Sequence, residues 1–239
     1  MIRAALALVA LGLSGCAATA PSPIVRPVAL PVPPAAPGAA GFRVEVRAGR
    51  AADCPLVGTA VRIGEGRFLT AAHIVDGTAM RMRNCGGPAM APVIVADGRP
   101  APARLVRQGE GELVPRVGPL YRRGEDLAVL EAPGAPPGPV ARPCGLGPDR
   151  GQSVVVASRL RVLEARAGGM VPESSPAYGA YAEIPMRMEP GESGAGVFDA
   201  ASLCLLGVVS HRPDETPGVT RIVPAAAIRR FLGTSGAGS

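Results

Sequence analysis

The sequence predicts an all-β domain, built as barrels or sandwiched sheets and closed by one C-terminal helix. Three observations carry that reading. Short apolar runs bounded by Gly, Pro or Asp recur from about Gly41 to Ser210, the pattern of many brief strands. The 32 glycines and 27 prolines exceed ordinary usage and call for many turns. Only PAAAIRRFL (224–232) repeats apolar residues at helical spacing, with Pro224 suited to a first turn. The core has to come from Val, Leu, Ala and Ile, since aromatic residues are 3% of the chain and Trp is absent.

Taken in order, residues 1–15 read as a secretory signal: Arg3, an apolar run from Ala4 to Leu13, then small residues. The run is too short to stay as a membrane-spanning helix. Leu13-Ser14-Gly15-Cys16 resembles the bacterial lipobox, in which Cys16 would be acylated and become the mature N-terminus. Ala17 follows rather than Asp, which points to an outer-membrane anchor facing the periplasm. Residues 16–41 are Pro/Ala-rich and read as an extended tether. The folded domain is expected over 42–233, with 234–239 a flexible tail.

Within the domain, Gly58–Ile63 and Arg67–Thr70 flank Gly64-Glu65-Gly66 and predict a hairpin. PVIVADGRPAPARLV (92–106) repeats the device around Asp97-Gly98. DLAVLEA (126–132), SVVVAS (153–158), LRVLEAR (160–166) and CLLGVVS (204–210) supply further strands. About 190 residues are generous for one small barrel and comfortable for two.

Several functional classes lack their residues. The formal charge of +6 comes wholly from arginine, because there is no Lys. Those arginines are scattered and few aromatics accompany them, which speaks against a nucleic-acid partner. No P-loop can form without lysine, no HExxH occurs, and two distant histidines make no metal site. GLGPDRG (145–151) echoes a dinucleotide loop, but Pro148 and Asp149 stand where a helix should start. No metal or other cofactor is expected. With Cys16 lipidated, Cys54, Cys85, Cys144 and Cys204 remain. In an oxidising compartment they make two disulfides with three possible pairings, and the lack of a CxxC argues against structural zinc.

The stretch MEPGESGAGVFD (188–199) holds Ser193 between glycines ahead of an apolar run. Serine is a poor nucleophile until a base takes its proton, and the base works best when a third group fixes its tautomer. His73, in FLTAAHIVDG, sits where a strand ends and small residues begin. Asp126, in GEDLAVL, opens an apolar strand and is the candidate orienting carboxylate. Asp76 competes, although Asp76-Gly77 suits a turn or helix end.

Together these stretches resemble the trypsin-like serine peptidases of the chymotrypsin fold, especially their bacterial branch. TAAH (70–73), DLAVL (126–130) and GESGAGVFD (191–199) are similar to the family's histidine, aspartate and serine motifs, in family order. GVVSHR (207–212) resembles the strand lining the substrate cleft, and TPGVTRIVPAAAIRRFL (216–232) the closing strand and terminal helix. The resemblance implies two six-stranded antiparallel β-barrels, about 42–135 and 136–233, with the active site between them. It implies His73 as general base, Asp126 as its orienter and Ser193 as nucleophile, with the N–H groups of Gly191 and Ser193 as oxyanion hole. Ser210 would line the substrate cleft; Arg187 either gives that cleft a basic floor suited to acidic side chains or faces solvent, and His211 either lies along the cleft wall or is a surface loop residue. The implied disulfides are Cys54–Cys85 and Cys144–Cys204.

Two departures stand out: Glu192 replaces the usual Asp of GDSGG, and Ala195-Gly196 replaces Gly-Pro. In zymogen-activated members that Asp pairs with a freshly cleaved N-terminus, which a lipid-anchored tether does not offer. Glu192 is left to pair with an arginine or to face solvent. The expected function is a lipid-anchored serine endopeptidase, monomeric, acting on polypeptides. The alternative is a catalytically weak or inactive domain of the same fold serving as an envelope binding or assembly module.

Overall fold

The computed structural model describes residues 37–50, 53–114, 118–172, 176–211 and 218–233. The expected signal segment, Cys16, the tether up to residue 36 and the tail 234–239 lie outside them. The chain folds into two curled antiparallel sheets, each a half-barrel of seven strands where six were expected.

The N-terminal half contains β1 (Val44–Arg50), β2 (Cys54–Gly64), β3 (Arg67–Thr70), β4 (Val93–Ala96), β5 (Arg99–Pro102), β6 (Arg104–Gln108), β7 (Gly111–Val114), β8 (Gly118–Tyr121) and β9 (Ala128–Glu131). Its sheet runs β5-β4-β1-β2-β3-β9-β6, with β7 and β8 forming a separate ribbon. Both expected hairpins are present: β2 pairs with β3, and β4 with β5 across Asp97-Gly98. Pro100 and Pro102 fall on the edge strand β5, where a missing N–H costs no ladder bond.

The C-terminal half contains β10 (Ser153–Ala157), β11 (Val162–Arg166), β12 (Gly169–Pro172), β13 (Ala180–Ile184), β14 (Gly196–Asp199), β15 (Leu205–Val209) and β16 (Thr220–Pro224). Its order is β11-β10-β14-β15-β16-β13-β12. β10 and β14–β16 sit inside the sheet, and β15 is buried at every position, which is why its sequence reads as an unbroken apolar run.

Among the described residues, three short α-helices accompany the sheets: α1 (Ala72–Val75), α2 (Thr78–Met82) and α3 (Ala225–Leu232). α3 starts one residue later than the sequence predicts, with Pro224 as its N-cap, and ends at Gly233. It buries Ala225, Ala227, Ile228 and Phe231, and its last turn carries Arg229 and Arg230, the favourable sign for a helix C-terminus. Each half has its own apolar cluster, and a further one joins Val61, Leu69, Leu127 and Val129 to Phe198, Val208, Val223 and Phe231. That shared cluster holds the halves in register.

The domain begins earlier than residue 42. Pro37–Phe42 form a 3-10 turn in which Ala39 is fully buried and Phe42 stacks on Phe198 at 4.6 Å between ring centroids. The structure joins Cys54 to Cys85 and Cys144 to Cys204. The first bridge anchors the segment after α2 to β2, and the second ties the entry of the C-terminal half to β15.

Candidate active site

Strand register explains how His73 and Asp126 meet. Thr70, at the end of β3, pairs with Ala128 at the start of β9. The chain continues three residues past Thr70 to His73 in α1, and Asp126 lies two residues before Ala128. Both side chains therefore emerge at the same corner of the sheet. His73 donates twice to one carboxylate: its amide N–H to Asp126 Oδ1 at 3.0 Å, and its ring Nδ1 to Asp126 Oδ2 at 2.8 Å. Asp126 is fully buried and His73 8% exposed, so this pair works in a poorly screened environment.

Burial alone would lower the His73 pKa, but the charge and hydrogen bond of Asp126, with Asp76 behind them, hold it above the ordinary histidine value. Burial alone would raise Asp126. The His73 ring, the Ser210 hydroxyl and the His73 amide outweigh it and hold the carboxyl below its usual range. Asp76 is occupied elsewhere: Oδ2 accepts from Tyr121 Oη at 2.6 Å and Oδ1 from the Thr78 amide at 2.7 Å. It caps α1 and does not orient the imidazole.

Ser193 lies in the C-terminal half, on the turn leading into β14. The Glu192 amide donates to Glu189 O and the Ala195 amide to Glu192 O, both at 3.0 Å, which winds the turn tightly. Gly191 (φ 94°) and Gly194 (φ 86°) flank the serine in the left-handed region that side chains avoid. A Cβ on Gly191 would press on the Arg159 guanidinium, and one on Gly194 would overlap Thr59 O and Thr70 Oγ1. Two bonds tie the turn to both halves: Thr59 N–H to Ser193 O and Gly194 N–H to Val209 O, each 2.8 Å. Among the described residues, the amides of Gly191 and Ser193 have no backbone acceptor. An oxyanion hole requires two such donors.

The Ser193 hydroxyl donates to Ser210 O at 3.3 Å. Ser210 Oγ reaches Asp126 Oδ2 at 2.5 Å. Ser210 thus contacts the serine through its carbonyl and the carboxylate through its hydroxyl. His211 follows, with Nδ1 2.9 Å from Ser210 Oγ and its ring edge-on to Tyr181.

Glu192 is fully buried and takes the first of the two fates open to it, pairing with an arginine. Arg161, on the turn between β10 and β11, donates to it through Nε (2.9 Å) and Nη2 (2.8 Å). Ser158 Oγ (2.7 Å) and the Glu189 amide (2.6 Å) complete its shell. Burial would raise the Glu192 pKa, but these donors, Arg161 foremost, keep it below the usual range. Sequence reasoning did not single out Arg161 or Ser158, because both fall in a short turn with no motif of its own.

Arg187 is not brought to a pocket floor. Its side chain is 64% exposed and faces Glu189 at 3.4 Å, while the adjacent Met188 is buried. Met188 takes the inward position and Arg187 points to solvent.

Residues 58–208 match the family model described as a trypsin-like peptidase domain. Among solved structures, the chain is similar to the active form of the Rv3671c protease from M. tuberculosis. The identity is 20% and the TM-score 0.61, covering 92% of this chain and 96% of that one. The inactive form of that protease matches at 20% identity and TM-score 0.56, over 84% and 91% of the two chains. A serine endoprotease from Yersinia pestis matches at 19% identity and TM-score 0.57, over 82% of this chain and 63% of that one. A comparison with curated protein sequences found no match.

Proposed function

The chain belongs to the trypsin-like peptidase domain family, and on that premise we propose that it is a serine endopeptidase working through His73, Asp126 and Ser193. The observation that carries the reading is the double hydrogen bond from His73 to the buried Asp126. It fixes the imidazole with Nδ1 protonated, leaving Nε2 as the basic nitrogen. In the resting protein Ser193 Oγ donates to Ser210 O. Rotation about χ1 releases it to give its proton to His73 Nε2 as Oγ attacks the substrate carbonyl.

The new C–O bond places negative charge on the carbonyl oxygen, between the Gly191 and Ser193 amides. One such donor is worth about 3–4 kcal/mol. His73 then hands the proton to the leaving amine, the C–N bond breaks and an acyl-enzyme remains. Water, deprotonated by His73, hydrolyses that ester and returns Ser193. Asp126 stays ionised throughout and stabilises the imidazolium.

Glu192 supports a turn that is ready without a cleaved N-terminus. Its counter-charge is Arg161 of the same domain, so cutting the chain is not needed to supply one. The Leu13-Ser14-Gly15-Cys16 stretch and the two disulfides support an exported protein, lipid-anchored through Cys16 at the outer membrane and facing the periplasm.

Hydrolysis of an unfolded protein such as reduced casein by the purified, oxidised protein tests the proposal. Wild type should yield internal fragments, and Ser193→Ala none. Equal cleavage by both would assign the activity elsewhere.

A further inference from the structure

The chain has two histidines, and the second is wired to the same carboxylate as the first. His211 Nδ1 lies 2.9 Å from Ser210 Oγ, and that oxygen lies 2.5 Å from Asp126 Oδ2. A hydroxyl has one proton to give and two lone pairs with which to accept. Asp126 and Ser210 are both buried, at 0% and 1% exposure, and the ionised carboxylate can only accept. The short contact therefore uses the Ser210 proton. What remains between Ser210 and His211 must run the other way, with His211 Nδ1–H donating to Ser210 Oγ. The Tyr181 ring, fully buried and edge-on to His211 at 5.2 Å between centroids, steadies the imidazole in that pose.

We propose that His211 is a positioning residue for the triad: its Nδ1–H occupies a lone pair of Ser210 Oγ and so commits the Ser210 proton to Asp126. The order of donation is His211 to Ser210 to Asp126, with His73 meeting the same Oδ2 from the other side. Each donor polarises the next, so the carboxylate that orients His73 is held by a chain of hydrogen bonds and not by one movable hydroxyl. Without His211 the Ser210 hydroxyl can rotate away, Asp126 keeps only His73, and the imidazole loses part of its alignment. This inference deepens the proposed peptidase function and rests on it.

Two variants separate donor from ring. His211→Phe keeps an aromatic ring against Tyr181 but removes the donor. His211→Asn places an amide N–H near the position of Nδ1. Steady-state hydrolysis of a peptide amide substrate should show His211→Phe losing about 2- to 10-fold in kcat at little change in KM, the worth of one hydrogen bond. His211→Asn should recover most of that loss. Proton NMR of the resting protein gives a readout independent of turnover. The far-downfield His73 Nδ1–H resonance, assigned by its disappearance in Asp126→Asn, should shift or broaden in His211→Phe and return in His211→Asn. An unchanged resonance in His211→Phe overturns the proposal, as does a loss confined to KM, which would make His211 a wall of the substrate cleft. If wild type itself fails to turn over, the peptidase reading falls while the resonance still decides the role of His211.

Discussion

Arg161 grips the buried carboxylate of Glu192 with two nitrogens, at 2.9 and 2.8 Å, across 31 residues of sequence. Glu192 sits between the two amides that would stabilise an oxyanion, so this ion pair sets the shape of the turn that presents Ser193. Truncation to Arg161→Ala leaves the carboxylate buried with only Ser158 Oγ and the Glu189 amide. One charge-assisted hydrogen bond is worth about 1.5–3 kcal/mol, and the partial exposure of Arg161 places the loss at the lower end. The melting temperature should fall by about 3–8 °C. If the Gly191 amide also leaves its position, kcat should drop by about 100-fold. Arg161→Lys, which cannot reproduce the bidentate fork, should fall between the two. Thermal unfolding and peptide hydrolysis of the three proteins check this.

The raised pKa of His73 sets the direction of the pH profile. A base with a raised pKa stays protonated, and inactive, to higher pH. The acid limb of kcat/KM should therefore titrate above 6.5, the ordinary histidine value. Asp126→Asn removes the largest influence raising that pKa and the group that fixes the tautomer. Its kcat should fall by about 10,000-fold, with any residual acid limb displaced to lower pH. A pH-rate profile of both proteins measures the two effects.

Gly194 and Gly98 both sit at positive φ, 86° and 73°, but in different surroundings. An added Cβ at Gly98 meets nothing, whereas at Gly194 it overlaps backbone and Thr70 of the N-terminal half. Gly98→Ala should cost only backbone strain, about 1–2 kcal/mol, and keep full activity. Gly194→Ala should melt several degrees lower still and lose activity, because the turn must move to admit the methyl group.

Much of this architecture is legible in the sequence, and the exceptions share a cause. The two hairpins announce themselves through Gly64-Glu65-Gly66 and Asp97-Gly98, which encode turns locally. His73, Asp126 and Ser193 each stand beside a strand run, and strand pairing then brings the first two together. Residues 37–41 read as tether because Pro, Ala and Gly dominate them; the burial of Ala39 and the stacking of Phe42 on Phe198 depend on the folded C-terminal half. Strand β12, four residues with Gly169 and Pro172 at its ends, lacks a strand pattern and exists because β13 pairs with it. Nothing local marks Arg161, out of 25 arginines, as the partner of Glu192. That choice belongs to the tertiary fold. For Arg187 the sequence leaves cleft and solvent both open, and the fold turns its side chain outward to Glu189.

The most direct test is covalent labelling of the oxidised full-length chain with a fluorophosphonate, followed by mass spectrometry of the adduct. The proposed function ties serine nucleophilicity to His73, Asp126 and an oxyanion site ready without proteolysis. The expected result is therefore a stoichiometric adduct on Ser193 in the uncut protein, absent in Ser193→Ala and strongly slowed in His73→Ala. An unlabelled wild-type protein, or an adduct on another serine, would contradict it.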